Sequence, residues 1–201
     1  MTAQWSEYRR GAWKDMSLQE QMEFMDGVQR ENIPIFDENG FDMDTLGDFW
    51  DIQDHLRRHP ESLSLAHVPV LLAMLDDECF EPSMMEKVVD ILVCLVLHHG
   101  AEGVKTLLSR LGDVPPEGRW YGHFRITQRL LWNEKGAALL PEAVRGLDPA
   151  ARALLLEILQ KHYGHRETER RIYAKQPWKL EPYEEEDRRA AALAEAIRER
   201  K

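Results

Sequence analysis

Residues 83–112 read SMMEKVVDILVCLVLHHGAEGVKTLLSRLG, and this pattern decides the fold. Ser83 and Glu86 stand at capping-box spacing, a signal for a helix start. From Val88 to Leu97 the chain is apolar nearly all the way round a helix, so that helix is expected at the centre of the molecule. Gly100 suits the left-handed residue that closes a helix. A second helix, AEGVKTLLSRLG, follows at once and stops at Gly112. The apolar run Ile91–Leu97 is far shorter than the roughly 20 residues that span a bilayer.

Outward from this pair the periodicity stays helical. SLQEQMEFMDGVQRE repeats the capping-box spacing with Ser17 and Glu20, and sets Leu18, Met22, Met25 and Val28 near one face. Downstream, HFRITQRLLWN and GAALLPEAVRGL continue the pattern. LDPAARALLLEILQKHYG then offers Asp148 as N-cap, Pro149 at the first helical position and Gly164 at the end. EPYEEEDRRAAALAEAIRERK reads as a solvent-washed terminal helix with its acids first and its bases last, as the helix dipole prefers. No convincing β-hairpin appears. The expected fold is all-α, with roughly eight to nine helices.

Two stretches look related at an offset of 36 residues: GAEGVKTLLSRL from Gly100 and GAALLPEAVRGL from Gly136. Each follows an apolar helix, so the repeating unit is a helix pair, within the range of solenoid repeats. On these residues the chain over roughly 64–165 resembles the HEAT-like α-solenoids, and the resemblance implies antiparallel helix pairs stacked into a short curved array. The expected organisation is one helical domain over 1–178, with acidic helices in 1–62 and the helix-pair array in 64–176, followed by the charged helix 179–201.

Composition narrows the function classes. The chain has 201 residues, 43% hydrophobic and 31% charged, which suits a folded globular protein. Cys79 and Cys94 are too few for a disulfide framework and form no CxxC. The beginning of the chain, MTAQWSEYRRGAWKD, has no apolar core like that of a signal peptide, so a cytoplasmic location and no membrane association are expected. The net charge of −10 is unevenly spread. Residues 1–90 hold 20 acids against 7 Lys/Arg, a net −13, while residues 91–201 hold 16 against 19, a net +3. Such an imbalance disfavours nucleic acid as partner and favours a cationic protein.

The acidic excess peaks in FDENGFDMDTLGDFWD, Phe36–Asp51, with six acids and no Lys or Arg between Arg30 and Arg57. An EF-hand loop fails here. Counted from Asp42, Leu46 falls at position 5 and Gln53 at position 12; counted from Asp37, Asp42 falls where Gly belongs. A helix fits better. At 100° per residue, Asp44, Asp48, Asp51 and His55 fall within about 60° of one another. Leu46, Phe49, Trp50, Gln53 and Leu56 gather opposite. This predicts an amphipathic helix entered from an Asn39-Gly40 turn, capped by Asp42 or Asp44, with an acidic outer stripe. Acids in its first turn also serve the helix dipole, whereas Asp51 and Asp54 lie beyond that turn and point to a binding face.

Other chemistry has little support. Asp51, His55 and His59 recur every four residues, but HLRRH lacks the Glu of HExxH, and Pro60 bends His59 out of helical geometry. No GxSxG, Walker loop or dinucleotide loop is present. No catalytic, cofactor-binding or metal-binding residues are assigned, and no cofactor is expected. RWYGHFRITQRLLW interleaves Arg with aromatics and could stack bases. Its plainer reading places Phe124, Ile126, Leu130 and Leu131 in the core with Arg125 and Arg129 exposed, or with the basic stretches paired to the acidic half of the chain.

The expected function is therefore a non-enzymatic protein-binding module with a basic partner. In size, charge and helical character it resembles the immunity proteins of bacterial polymorphic-toxin and contact-dependent inhibition systems. That resemblance implies a cationic toxin, such as a nuclease, as the bound protein. On this reading Asp44, Asp48 and Asp51 meet basic residues of the partner, Glu38 and Asp54 form the rim, and Trp50 or Phe49 supplies the central contact. The alternatives are an adaptor or scaffold in a multi-protein complex and, more remotely, a metal-dependent hydrolase.

Overall fold

The computed structural model describes residues 10–30, 36–37, 40–41, 43–79, 81–163 and 181–199. The fold is all-α. Among the described residues its helices are α1 (Leu18–Gln29), α2 (Met43–Arg58), α3 (Val68–Ala73), α4 (Pro82–His98), α5 (Gly100–Ser109), α6 (Ile126–Trp132), α7 (Glu134–Arg145), α8 (Pro149–Tyr163) and α9 (Glu181–Arg198). A π-helical turn, Trp120–Arg125, leads directly into α6. Ahead of α2, where no hairpin was expected, β1 (Phe36–Asp37) and β2 (Gly40–Phe41) form a two-residue antiparallel pair, with Phe36 opposite Phe41.

Helix α4 is the axis. Ten of its 17 residues, from Met84 to Leu97, are buried, because α2, α3, α5 and α6 all pack against it. Its N-cap lies two residues before the expected Ser83. Glu81 is the N-cap and its carboxylate accepts from the Ser83 amide, while Pro82 occupies the first turn, where its missing N–H costs nothing. At the other end Gly100 takes the left-handed φ of 66° and turns the chain directly into α5.

The 36-residue relation survives in three dimensions. α5 packs on α4, α7 packs on α6, and the second pair stacks on the first through α4–α6 and α5–α7 contacts. Buried apolar positions of the two outer helices and the residues just after them match: Val104 with Leu140, Leu107 with Ala143, Leu108 with Val144, and Leu111 with Leu147. Beyond these two pairs the regularity ends. α2 covers α4 on one side, and α8 lies against α5 and the short turn Leu111–Asp113.

The terminal helix is not washed by solvent, contrary to the expectation from its charge. α9 packs across α6, α7 and α8 and buries Ala190, Leu193, Ala194 and Ile197. Glu186 goes in with them, 1% exposed, accepting hydrogen bonds from the Trp132 indole N–H and from the Tyr163 hydroxyl at 2.7 Å. The small alanines let this helix approach closely, and both polar partners satisfy the buried carboxylate.

Two outcomes follow from this packing. A Cβ on Gly103 would lie 2.2 Å from the Val96 carbonyl oxygen, a contact with backbone that only separation of α5 from α4 relieves. Gly103→Ala is expected to lower stability by about 1–3 kcal/mol, read as a fall in the urea midpoint. His123 contributes a pH dependence. Its Nε2–H donates to the Leu111 carbonyl at 2.9 Å, and burial pushes its pKa below the ordinary histidine range. The unfolded state thus binds a proton more readily than the folded state, so stability present above about pH 6.5 is lost as pH falls toward the folded pKa. In His123→Gln, which keeps an N–H donor, the drop in melting temperature between neutral and mildly acidic pH should be smaller than in the natural protein.

Candidate functional site

The acids of α2 are largely engaged by the protein itself. Asp48, expected on the outer stripe, is fully buried. Its Oδ2 accepts from the Gly11 amide at 2.6 Å, and its Oδ1 lies 3.2 Å from Arg10 Nε. Arg10 Nη2 reaches Asp51 Oδ2 at 3.2 Å, and Nη1 donates to the Asp44 carbonyl at 3.4 Å. Gly47 makes the arrangement possible: a Cβ there would sit 1.4 Å from Arg10 Nη1, so the guanidinium lies in the slot left by the missing side chain. The short helical turn Ala12–Asp15 then packs over α2, with the Trp13 ring 5.4 Å from His55. Helical periodicity correctly groups Asp44, Asp48 and Asp51 on one side; the overlying segment turns that side inward.

The rest of the proposed contact is altered in the same way. Phe49 is fully buried and meets Trp50 edge-on at 5.4 Å, so it belongs to the core and cannot touch a partner. Trp50 is half-buried beneath Lys87, whose Nζ stands 4.5 Å from the ring centroid. The same ammonium pairs with Asp54 at 3.3 Å, and Arg57 and Arg58 flank that carboxylate at 3.8 and 3.6 Å. Glu38 lies outside the described residues. Asp44 is exposed, and Asp51 is half exposed beside Arg10.

Cationic residues are also drawn inward. Of the two expectations for Arg125 and Arg129, pairing with the acidic half is the one observed: they are only 21% and 29% exposed, held by Glu86 and Asp90 on α4. Glu86 bridges both, at 2.7 and 3.1 Å, and Asp90 meets Arg129 at 3.1 Å. Burial raises the Asp90 pKa above the usual carboxylate value, against the opposing pull of Arg129. Burial and the nearby Asp90 likewise push the Cys94 thiol up, which disfavours a nucleophilic thiolate. Among the described residues no three His, Cys, Asp or Glu side chains gather as a metal site. Asp51 is directed to Arg10, and His59 Nδ1 lies 3.0 Å from Glu61.

A groove between α1 and α3 remains open. It encloses about 460 Å³ over an apolar floor of Met22, Pro69, Val70, Ala73 and Met74. Val70 is 44% exposed there. Glu23 and Asp26 of α1 stand at its rim with Gln19 and Arg30. The Arg30 guanidinium spans the gap, donating to the Asp26 carboxylate and to the Ala73 carbonyl, each at 2.8 Å. Glu23 accepts only from Gln19 among the described contacts, at 2.8 Å. The signal for this site is in the sequence: VPVLLA, the whole of α3, is apolar at every position, more than a six-residue helix can bury on one face. Val68, Leu71 and Leu72 go into the core, and Pro69 and Val70 are left outside.

The two α2 acids should separate clearly on mutation. Asp48→Asn removes a buried charge-assisted hydrogen bond and is expected to cost about 1.5–3 kcal/mol. Asp51→Asn breaks an exposed pair and should cost about 0–1 kcal/mol. Chemical denaturation of both variants checks this; equal, near-zero effects would return Asp48 to the surface.

Comparison of the chain with protein-family models, with curated proteins and with solved structures gives no match in any of the three.

Proposed function

We propose that the protein is a non-enzymatic binding module that receives a basic, amphipathic segment of another protein in the groove between α1 and α3. One observation carries this reading: an open apolar floor beside carboxylates, on the half of the chain that holds the negative charge. The floor supplies affinity. Covering Val70 and its neighbours with two or three partner side chains offers about 1.5–3 kcal/mol for each one fully buried. Glu23 supplies orientation, while Asp26, paired with Arg30, adds to the field, and the net −13 of residues 1–90 attracts a cation from a distance. A helix laid into a groove, with apolar anchors at every third or fourth position, is a recurring mode of this kind.

Within this reading the stacked pairs α4–α5 and α6–α7 are a short HEAT-like array, and the acidic helices in front of it form the contact surface. The immunity-protein resemblance makes a cationic toxin the first partner class to test. The α2 stripe has a lesser part: Asp44 and Asp51 contribute to the field around the groove, while Asp48, Phe49 and Asp54 support the fold.

The test is parallel affinity purification from the native host with the natural protein, Val70→Asp and Glu23→Lys as baits. The expected result is a basic protein held by the natural bait, reduced by either variant and released more readily at high salt. If that protein is toxic alone and harmless when co-expressed with the bait, the immunity reading stands; a set of housekeeping subunits instead identifies an adaptor. Equal recovery on all three baits would overturn the groove, and a stoichiometric metal with hydrolytic activity would overturn the non-enzymatic reading.

A further inference from the structure

The aromatic-rich stretch 119–124 is not explained by the groove, and the fold gives it a definite shape. The π-helical turn brings Trp120 onto Phe124, with centroids 4.6 Å apart. Phe124 in turn stacks on His162 of α8, at 4.6 Å and an interplanar angle of 25°. His162 also lies edge-on to Trp120 at 6.0 Å. The indole is thus braced from below and yet 49% exposed, the most exposed large apolar side chain among the described residues. Its backbone is fixed as well: the Asp77 carboxylate accepts from the Trp120 amide at 2.8 Å and from the Tyr121 amide at 3.2 Å.

A rigid, solvent-facing ring stack is a stacking platform, and the surrounding charge selects its ligand. Asp77, whose carboxylate holds the Trp120 amide, is flanked by Asp76 and Glu78, and its own amide donates to the Glu117 carbonyl, so four acidic residues lie on the two segments that meet beside Trp120. Glu157, which acts electrostatically on the neighbouring His123, stands further along α8. Arg119 and Lys161 are the cations nearby among the described residues. Among the described residues the local balance is negative, and so is the whole chain at −10, which opposes a phosphate backbone. A cation resting on the indole face gains from both the ring quadrupole and the acids.

We infer that Trp120 is a landing site for an arginine side chain of a protein or peptide ligand, with the guanidinium laid on the indole and turned toward the carboxylates around Asp77 and Glu117. Arginine is favoured over lysine because its planar group stacks and is the more weakly hydrated of the two. Trp120 is already ordered by Phe124 and His162, so little side-chain freedom is lost on contact. The inference does not depend on the groove between α1 and α3.

The experiment uses the full chain labelled with ¹⁵N at its six tryptophan indoles, with the Trp120 signal assigned from Trp120→Phe. The probes are a short oligoarginine peptide, the matching oligolysine and a thymidine oligonucleotide. Oligoarginine should move the Trp120 resonance saturably and further than oligolysine does. Trp120→Ala should weaken oligoarginine binding roughly two- to fivefold, with Trp120→Phe largely restoring it. Glu117→Lys, which keeps the indole and lies at an exposed position, should weaken it too and decides the matter if Trp120→Ala unfolds. Oligoarginine binding that leaves the Trp120 resonance in place, or that neither variant changes, overturns the inference. Saturation of that resonance by the oligonucleotide, with no response to oligoarginine, replaces it with a single-strand nucleic-acid surface.

Discussion

The fold depends on the fact that α4 has almost no face fit for water. An ordinary surface helix needs cover on one stripe; α4 buries residues around most of its circumference from Met84 to Leu97, all but the edge of Glu86, Lys87, Asp90 and Cys94, and therefore needs several neighbours. α5 returns along it through the single left-handed residue Gly100, and Gly103 permits the two backbones to approach closely. α6 and α7 repeat the pairing 36 residues later, while α2 and α3 complete the enclosure from the acidic half of the chain. The outer surfaces of those neighbours, above all α3, are where the unfilled groove arises.

Charge follows the same logic. The polar edge of α4, Glu86, Lys87 and Asp90, meets charges of opposite sign on both sides: Asp54 on α2, Arg125 at the end of the π-helical turn and Arg129 on α6. These links are half-buried and shared, with one carboxylate bridging two guanidinium groups. Removing one member therefore leaves a partly desolvated charge, a larger loss than an exposed pair suffers. The imbalance between residues 1–90 and 91–201 is in part the trace of this internal matching, since acids of the first half find their cations in the second.

Much of this architecture is legible in the sequence, and the failures have specific physical causes. The Ser17–Glu20 capping box forms as its spacing predicts, and Asp148 caps α8 by accepting from the Ala151 amide at 2.8 Å. The same spacing at Ser83–Glu86 misleads because a competing cap, Glu81 before Pro82, lies just upstream and Glu86 is drawn to two arginines. Periodicity places Asp48 on the right side of α2. What it lacks is knowledge that Arg10 and Gly11, 37 to 38 residues earlier, fold over that side. For α9, overall charge hides the spacing of Glu186, Ala190, Leu193 and Ile197, which marks a buried stripe once alanine is counted as apolar. The groove escapes notice for a different reason: sequence shows that α3 is apolar all round, while which of its faces stays open is set by where α1 comes to rest.

These corrections bear on where a partner can act. A basic protein approaching α2 would have to displace Arg10 from Asp48, or Lys87 from both Asp54 and Trp50, exchanging one formed contact for another with little gain. A carboxylate already paired intramolecularly contributes to the long-range field but adds little at contact. The groove differs because Pro69, Val70 and Ala73 of its floor are exposed in the free protein and Glu23 has no cation among the described contacts. There a partner side chain over Val70 removes apolar surface from water beside the Arg30–Asp26 pair, and its charge meets Glu23, which holds no cation among the described contacts. Net charge along the chain shows which half attracts a cation; the bonds already formed within the fold decide which part of that half can hold one.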